Sequence, residues 1–149
     1  MAVRQIRMFG DEILRKKSRP VEVVNDNIRM ILNDMAETMY NTKNGGGLAA
    51  PQVGILKRLV VIDMGQGLIK LVNPVIIHQE GSQEVVEGCL SYPDVFGRLK
   101  RPAKVTVQAL DENGQSITLT GTGNLAKCFC HEIDHLDGVL FTDFVTDYL

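Results

Sequence analysis

The stretch Cys128-Phe129-Cys130-His131-Glu132-Ile133-Asp134-His135 constrains this chain more than any other. On a helix, His131 and His135 stand one turn apart and face the same way. Two imidazoles so placed can bind one divalent metal, and Glu132 between them can serve as a general base. Two of the chain's 3 histidines sit at ligand spacing around a carboxylate, a pattern that favours metal binding over two unrelated core or surface histidines. A catalytic centre of this kind has three protein ligands and one position open to water, so a further ligand must come from elsewhere in the chain.

Composition narrows the setting of that centre. The 149 residues are read as one domain, 1–149, long enough to bury a core without staples. A net charge of −2 with both signs mixed does not describe a polyanion-binding surface, so nucleic acid is not expected as a substrate. No apolar run matches a signal peptide or a membrane span. Three cysteines, an odd count, argue against a disulfide framework and for reduced thiols in the cytoplasm.

Val3 to Met8 reads as a short strand and Glu12 to Lys17 as one helical turn, stopped by Pro20. Asn25 to about Lys43 reads as a helix capped by Asn25 or Asp26, with Ile28, Ile31, Leu32, Met35 and Met39 on one apolar face. That Met-bearing stripe is core packing. The helix should end in Asn44-Gly45-Gly46-Gly47, where positive φ costs little. The loop Gly45 to Gly54 could be punctuation, or bare backbone that lets a ligand approach, with the Gln52 amide beside it; it lacks the Gly-Lys-Ser/Thr of a phosphate loop. Arg58–Asp63, Leu68–Asn73, Val75–His78 and Gln83–Glu87 read as strands, with a turn at Gly65-Gln66-Gly67. Lys104–Leu110 and Ser116–Thr120 form a hairpin about Asp111-Glu112-Asn113-Gly114. Thr122 or Asn124 would cap the metal-motif helix, Asp137-Gly138 would end it, and Val139–Phe144 would pack back on the sheet.

By residue type alone, Cys89, Cys128 and Cys130 are level as third ligand, with His78 a rival. A thiolate is a good ligand for zinc or iron. Cys89 follows a strand and lies beside a glycine. Cys128 is near the ligand face but close along the helix, and suits a pocket wall. Cys130 points away and suits packing.

Three segments occur in order: Gly45-x-Gly47-Leu48-Ala49-Ala50-Pro51-Gln52, Glu87-Gly88-Cys89-Leu90-Ser91 and His131-Glu132-x-x-His135. Together they resemble the peptide deformylase family, the bacterial enzymes that remove the N-terminal formyl group from new polypeptides. The resemblance covers nearly the whole chain, through Leu136-Asp137-Gly138-Val139-Leu140-Phe141. It implies an α+β fold with antiparallel β-sheets packed around a central helix that carries the metal motif. It makes Cys89, His131 and His135 the metal ligands and Glu132 the acid/base. Gln52 and the Leu90 N–H would hold the oxyanion. Gly45, Gly46, Gly47, Leu48 and Cys128 would meet the substrate, with Val85 as a further pocket wall, and Arg98 or Arg101 would position Glu87 or the peptide. One divalent ion is implied, ferrous iron physiologically, with zinc, nickel or cobalt able to replace it. The implied partner is a formyl-methionyl peptide met by a monomer, with transient ribosome contact. The sequence reaches Leu149 without the long C-terminal helix that some members use for ribosome docking.

Two positions depart from the family pattern. Gly46 stands where a branched apolar residue is usual, which removes a side-chain wall, and Cys130 stands where glutamine is usual. Two rival readings remain distinct in their consequences. A small zinc endopeptidase would leave Cys89 and Gln52 idle. A non-catalytic module with a structural metal would close its site with a fourth protein ligand, for which Cys128 is the candidate.

Overall fold

The computed structural model describes residues 2–43 and 45–149. Among the described residues there are eight strands: β1 (Gly47–Ala49), β2 (Leu59–Ile62), β3 (Ile69–Glu80), β4 (Gln83–Cys89), β5 (Tyr92–Arg101), β6 (Lys104–Leu110), β7 (Ser116–Thr122) and β8 (Asp147–Tyr148). Two α-helices, α1 (Asp26–Tyr40) and α2 (Gly123–Leu136), and three short 3-10 turns complete the described elements.

The strands form two antiparallel sheets, one ordered β1-β2-β3-β6-β7 and one ordered β4-β5-β8. The larger sheet is covered on both faces, and β2 shows why. Its unbroken apolar run Leu-Val-Val-Ile is fully buried, as expected for a strand with a layer on each side. Val60 and Ile62 pack with Ala126, Phe129, Cys130, Ile133 and Leu136 of α2. Leu59 and Val61 pack with Ile28, Ile31, Leu32, Met35 and Met39 of α1. The motif helix meets the smaller sheet through His131 on Glu87 of β4 and Asp134 on Arg101 of β5, so it lies between the two sheets, and the expected α+β architecture is present.

Helix α1 starts as expected, with the Asn25 side chain accepting the Ile28 N–H at 3.1 Å. It ends at Tyr40 with Asn41 as C-cap, earlier than Lys43; the expected glycine-run boundary at Asn44 lies outside the described residues. The Gly45–Gly54 loop contains structure: β1 and a 3-10 turn at Ala50–Val53.

Other boundaries differ for reasons of partner choice. Val3–Met8 is not a strand. It is extended chain held by side chains of α1, the Ala2 N–H on Asp34 and the Arg4 N–H on Thr38, both at 2.8 Å. Leu68–Asn73 and Val75–His78 join as one strand, β3, kinked at Asn73 with φ 53° and an irregular register between Val72 and Val75. The kink admits Pro74, which has no N–H to give to the ladder, and the Asn73 side chain bonds both the N–H and the C=O of Val21 at 2.8 Å. Strands β5 and β8 were not expected.

Helix α2 stops at Leu136, and Gly138 follows with φ +73°. A Cβ there would meet the Arg15 carbonyl group. Gly138→Ala is therefore expected to cost about 1–3 kcal/mol for the left-handed backbone alone. The melting temperature should fall by roughly 2–4 °C per kcal/mol, as read by thermal unfolding with metal content held equal.

Candidate active site

Helix α2 uses one side for the core and the other for polar groups that a helix rarely buries. His131, Glu132 and His135 are 8%, 4% and 1% exposed. Strand β4 runs beside α2 and ends at Cys89, where an irregularity in the β4–β5 register after Glu87 turns the chain. One ligand atom from each of Cys89, His131 and His135 falls within 4.8 Å of the others. The Cys89 Sγ to His135 Nε2 separation is 3.4 Å, close to that of two ligands ~2.1–2.3 Å from a shared ion at a tetrahedral angle.

The ring of His131 is oriented from behind. Its Nδ1 lies 2.7 Å from Glu87 Oε1. A carboxylate can only accept, so Nδ1 carries a proton and donates it, which leaves Nε2 as the nitrogen that would face a metal. Glu87 is held in turn by Arg101, whose Nε and Nη2 reach the two carboxylate oxygens at 2.6 and 3.0 Å. Arg101 Nη1 also reaches Asp134 at 2.8 Å. Burial pushes the Glu87 carboxyl up, but the hydrogen bonds from Arg101 and His131 outweigh it and hold it down at about 2. Phe141 stacks on the His131 ring, with centroids 5.9 Å apart. Arg98 takes no part; it pairs with exposed Asp147.

Burial pushes the Glu132 carboxyl up to about 7, with Glu87 adding to the rise and His131 opposing it. Its Oε1 and His135 Nδ1 are buried without a hydrogen-bond partner. Burial works against a charged His131, yet Glu132, Cys89 and Glu87 raise its pKa well above the ordinary value. His135 is driven well below its ordinary range by burial and by the charge of His131. A buried, anion-rich pocket that draws a positive charge onto His131 and leaves a carboxylate oxygen orphaned fits a divalent cation. The soft thiol and two imidazoles are a donor set for zinc or another first-row metal.

Gln52 sits on the 3-10 turn after β1. Its Oε1 accepts the Ala49 N–H at 2.9 Å, which aims Nε2 at Ser91 Oγ (3.1 Å) and Cys89 Sγ (3.5 Å). A cleft of about 590 Å³ opens over these groups, lined by Gly46, Gly47, Leu90 and Cys128 among others. A Cβ on Gly47 would lie 2.7 Å from Glu132 Oε2 and 2.9 Å from Cys128 Sγ, so the bare backbone there is a steric requirement.

Not every expected residue reaches the cleft. Leu48 faces the other way, buried with α1, because neighbouring residues on β1 alternate. Gly45 and Val85 are absent from its lining, and Val86 takes the place given to Val85. Cys130 is core. Cys128 is outside the ligand cluster, its thiol pushed well up by burial and by Glu132. His78 is exposed beside Glu80. Ser91 was missed as a contact of Gln52, although it belongs to the Glu87–Ser91 segment. Met64, also in the cleft lining, carries no signal in the sequence.

Comparison with known proteins identifies the family. The family model described as polypeptide deformylase matches residues 3–148. Peptide deformylase 2 of Clostridium acetobutylicum is 72% identical over 149 residues, covering 100% of this chain and 99% of that protein. The peptide deformylase of Acetivibrio thermocellus is 60% identical, covering 100% and 87%. Among solved structures, the peptide deformylase from Thermotoga maritima superposes with TM-score 0.95 at 38% identity, covering 99% of this chain and 100% of that one. The peptide deformylase from Ehrlichia chaffeensis in complex with actinonin gives TM-score 0.95 at 37% identity, covering 99% and 91%. The chain belongs to the polypeptide deformylase family, metal-dependent hydrolases that remove the N-terminal formyl group from new polypeptides.

Proposed function

We propose that Cys89, His131 and His135 hold one divalent metal ion, that Glu132 is the acid/base, and that a formyl-methionyl peptide is cut here to release formate. The observation that carries this reading is the three-ligand cluster beside a buried carboxylate whose Oε1 has no partner. A divalent ion in this site supplies a Lewis acid that acidifies water and polarises a carbonyl. Glu132, a buried carboxylate beside the ligand cluster, can take a proton from the attacking water and pass it to the leaving amine. Gln52 Nε2 and the Leu90 N–H would stabilise the charge that develops on the formyl oxygen. The amide of Gln52 needs no reorganisation because Ala49 already holds it. A peptide can approach along β1, an edge strand of its sheet. A formyl carbon carries only hydrogen, so a close-walled site admits it and rejects acetyl groups.

The physiological ion in this reading is ferrous iron, with zinc, nickel and cobalt as replacements. A reducing cytoplasm suits the three unpaired cysteines. The enzyme acts as a monomer with transient access to ribosome-borne chains. Formate release from a formyl-Met tripeptide by iron- or nickel-loaded protein tests the proposal, with acetyl-Met peptide as control. No turnover at full metal occupancy would favour a structural metal instead, and internal peptide cleavage would favour an endopeptidase. Gln52→Leu is expected to lower kcat by about 10²–10³ at unchanged metal content.

A further inference from the structure

Met64 lies in the bend between β2 and β3 and lines the same cleft as Glu132. It stands where a side chain at position 46 would be, since a Cβ on Gly46 would fall 2.6 Å from Met64 Sδ. The register explains the approach. Gly47 pairs with Ile62, and the Asp63 N–H donates to the Gly46 carbonyl at 2.9 Å. The ladder thus runs one residue past the strands and delivers residue 64 over the glycine. Asp63 is itself fixed, accepting from the Tyr40 hydroxyl at 2.5 Å and the Gly65 N–H at 2.9 Å. The wall that a glycine at 46 removes is rebuilt from the neighbouring hairpin.

Alternation along the strand says which part of a substrate this wall meets. Position 47 faces Glu132 and Cys128, so position 46 faces the opposite side of the sheet. A peptide added along β1 alternates in the same way. With its first side chain on the side of Cys128, its second lies on the side of Met64. We infer that Met64 determines specificity by packing against the second side chain of the formylated peptide and favouring an apolar one. A flexible thioether suits a wall that receives varied side chains. This inference rests on the deformylase reading of the cleft.

The test is steady-state formate release by nickel-loaded enzyme from formyl-Met-X peptides with X as Leu, Ala or Asp. Wild-type turnover of formyl-Met-Ala tests the deformylase reading by itself. Given turnover, kcat/KM for X = Leu is expected to exceed that for X = Asp by about 10-fold. Met64→Ala should erase most of that ratio through KM, with kcat within about twofold, and Met64→Leu should keep it. Gly46→Val alone should lower kcat/KM by clashing with Met64, and Gly46→Val with Met64→Ala should recover it. An unchanged X profile in Met64→Ala, a change confined to the first residue of the peptide, or failure of the double variant to recover would each overturn the inference.

Discussion

Glu132→Ala, loaded with the same metal as the parent, is expected to lose about 10²–10⁴ in kcat for formate release. KM should move little, because the carboxylate acts on a proton and not on the peptide. The same change should stabilise the metal-free protein. A carboxyl whose folded pKa is raised from 4.5 to about 7 destabilises the fold progressively above pH 4.5 and fully above about pH 7. Its Oε1 is also buried with no partner, a cost the alanine variant no longer bears. At pH 8 without metal, the variant should therefore melt above the parent, by an amount of the order of 1–3 kcal/mol. Gain of stability with loss of turnover would identify Glu132 as a residue kept for chemistry against the interest of the fold. Turnover within about tenfold of the parent would remove it from the acid/base role, and a lower melting temperature would show a structural one.

Much of this architecture was legible because it rests on local periodicity. The apolar stripe of α1, the hairpin about Asp111–Gly114 and the His131/His135 spacing each need only neighbours in sequence. What escaped depends on distant partners. Strand β5 carries Pro93, Asp94 and Gly97 and exposes Phe96, so its alternation is weak until β4 pairs along it. Strand β8 is two residues long and exists only against β5. The N-terminal segment has extended character, but its bonds go to Asp34 and Thr38 of a helix. In the site, the type of each candidate ligand was readable from the motifs, but which cysteine stands beside the imidazoles is decided by the register of β4 against β5. Leu48 was misplaced as a cleft residue because a loop has no faces, whereas the strand it belongs to has two.

Arg101→Leu tests what holds His131 in place from behind. Arg101 and Glu87 side chains are 6% and 2% exposed. Removing the guanidinium leaves the buried Glu87 carboxylate with His131 alone to answer it, and breaking such a pair costs about 3–5 kcal/mol. At roughly 2–4 °C per kcal/mol for a chain of this size, the melting temperature should fall by about 10 °C. The dependence on acid should also weaken. In the parent, the Glu87 carboxyl lies at about 2 against an ordinary 4.5. Its contribution is present above pH 4.5 and is lost as pH falls towards 2. In the variant, burial is opposed by His131 alone, so the carboxyl rises from its depressed value and less stability is lost as the pH falls. Melts of the two metal-free proteins at several pH values between neutrality and 4 should therefore diverge least at the acid end. Metal affinity should drop by about 10–100-fold, because Glu87 without its clamp no longer fixes the tautomer and orientation of His131. Arg101→Lys should recover the charge but not the two-point grip on Glu87, separating stability from metal affinity. If Arg101→Leu melted like the parent and bound metal equally well, the chain Arg101–Glu87–His131 would have no energetic role in the site, and the orientation of His131 would have to come from Phe141.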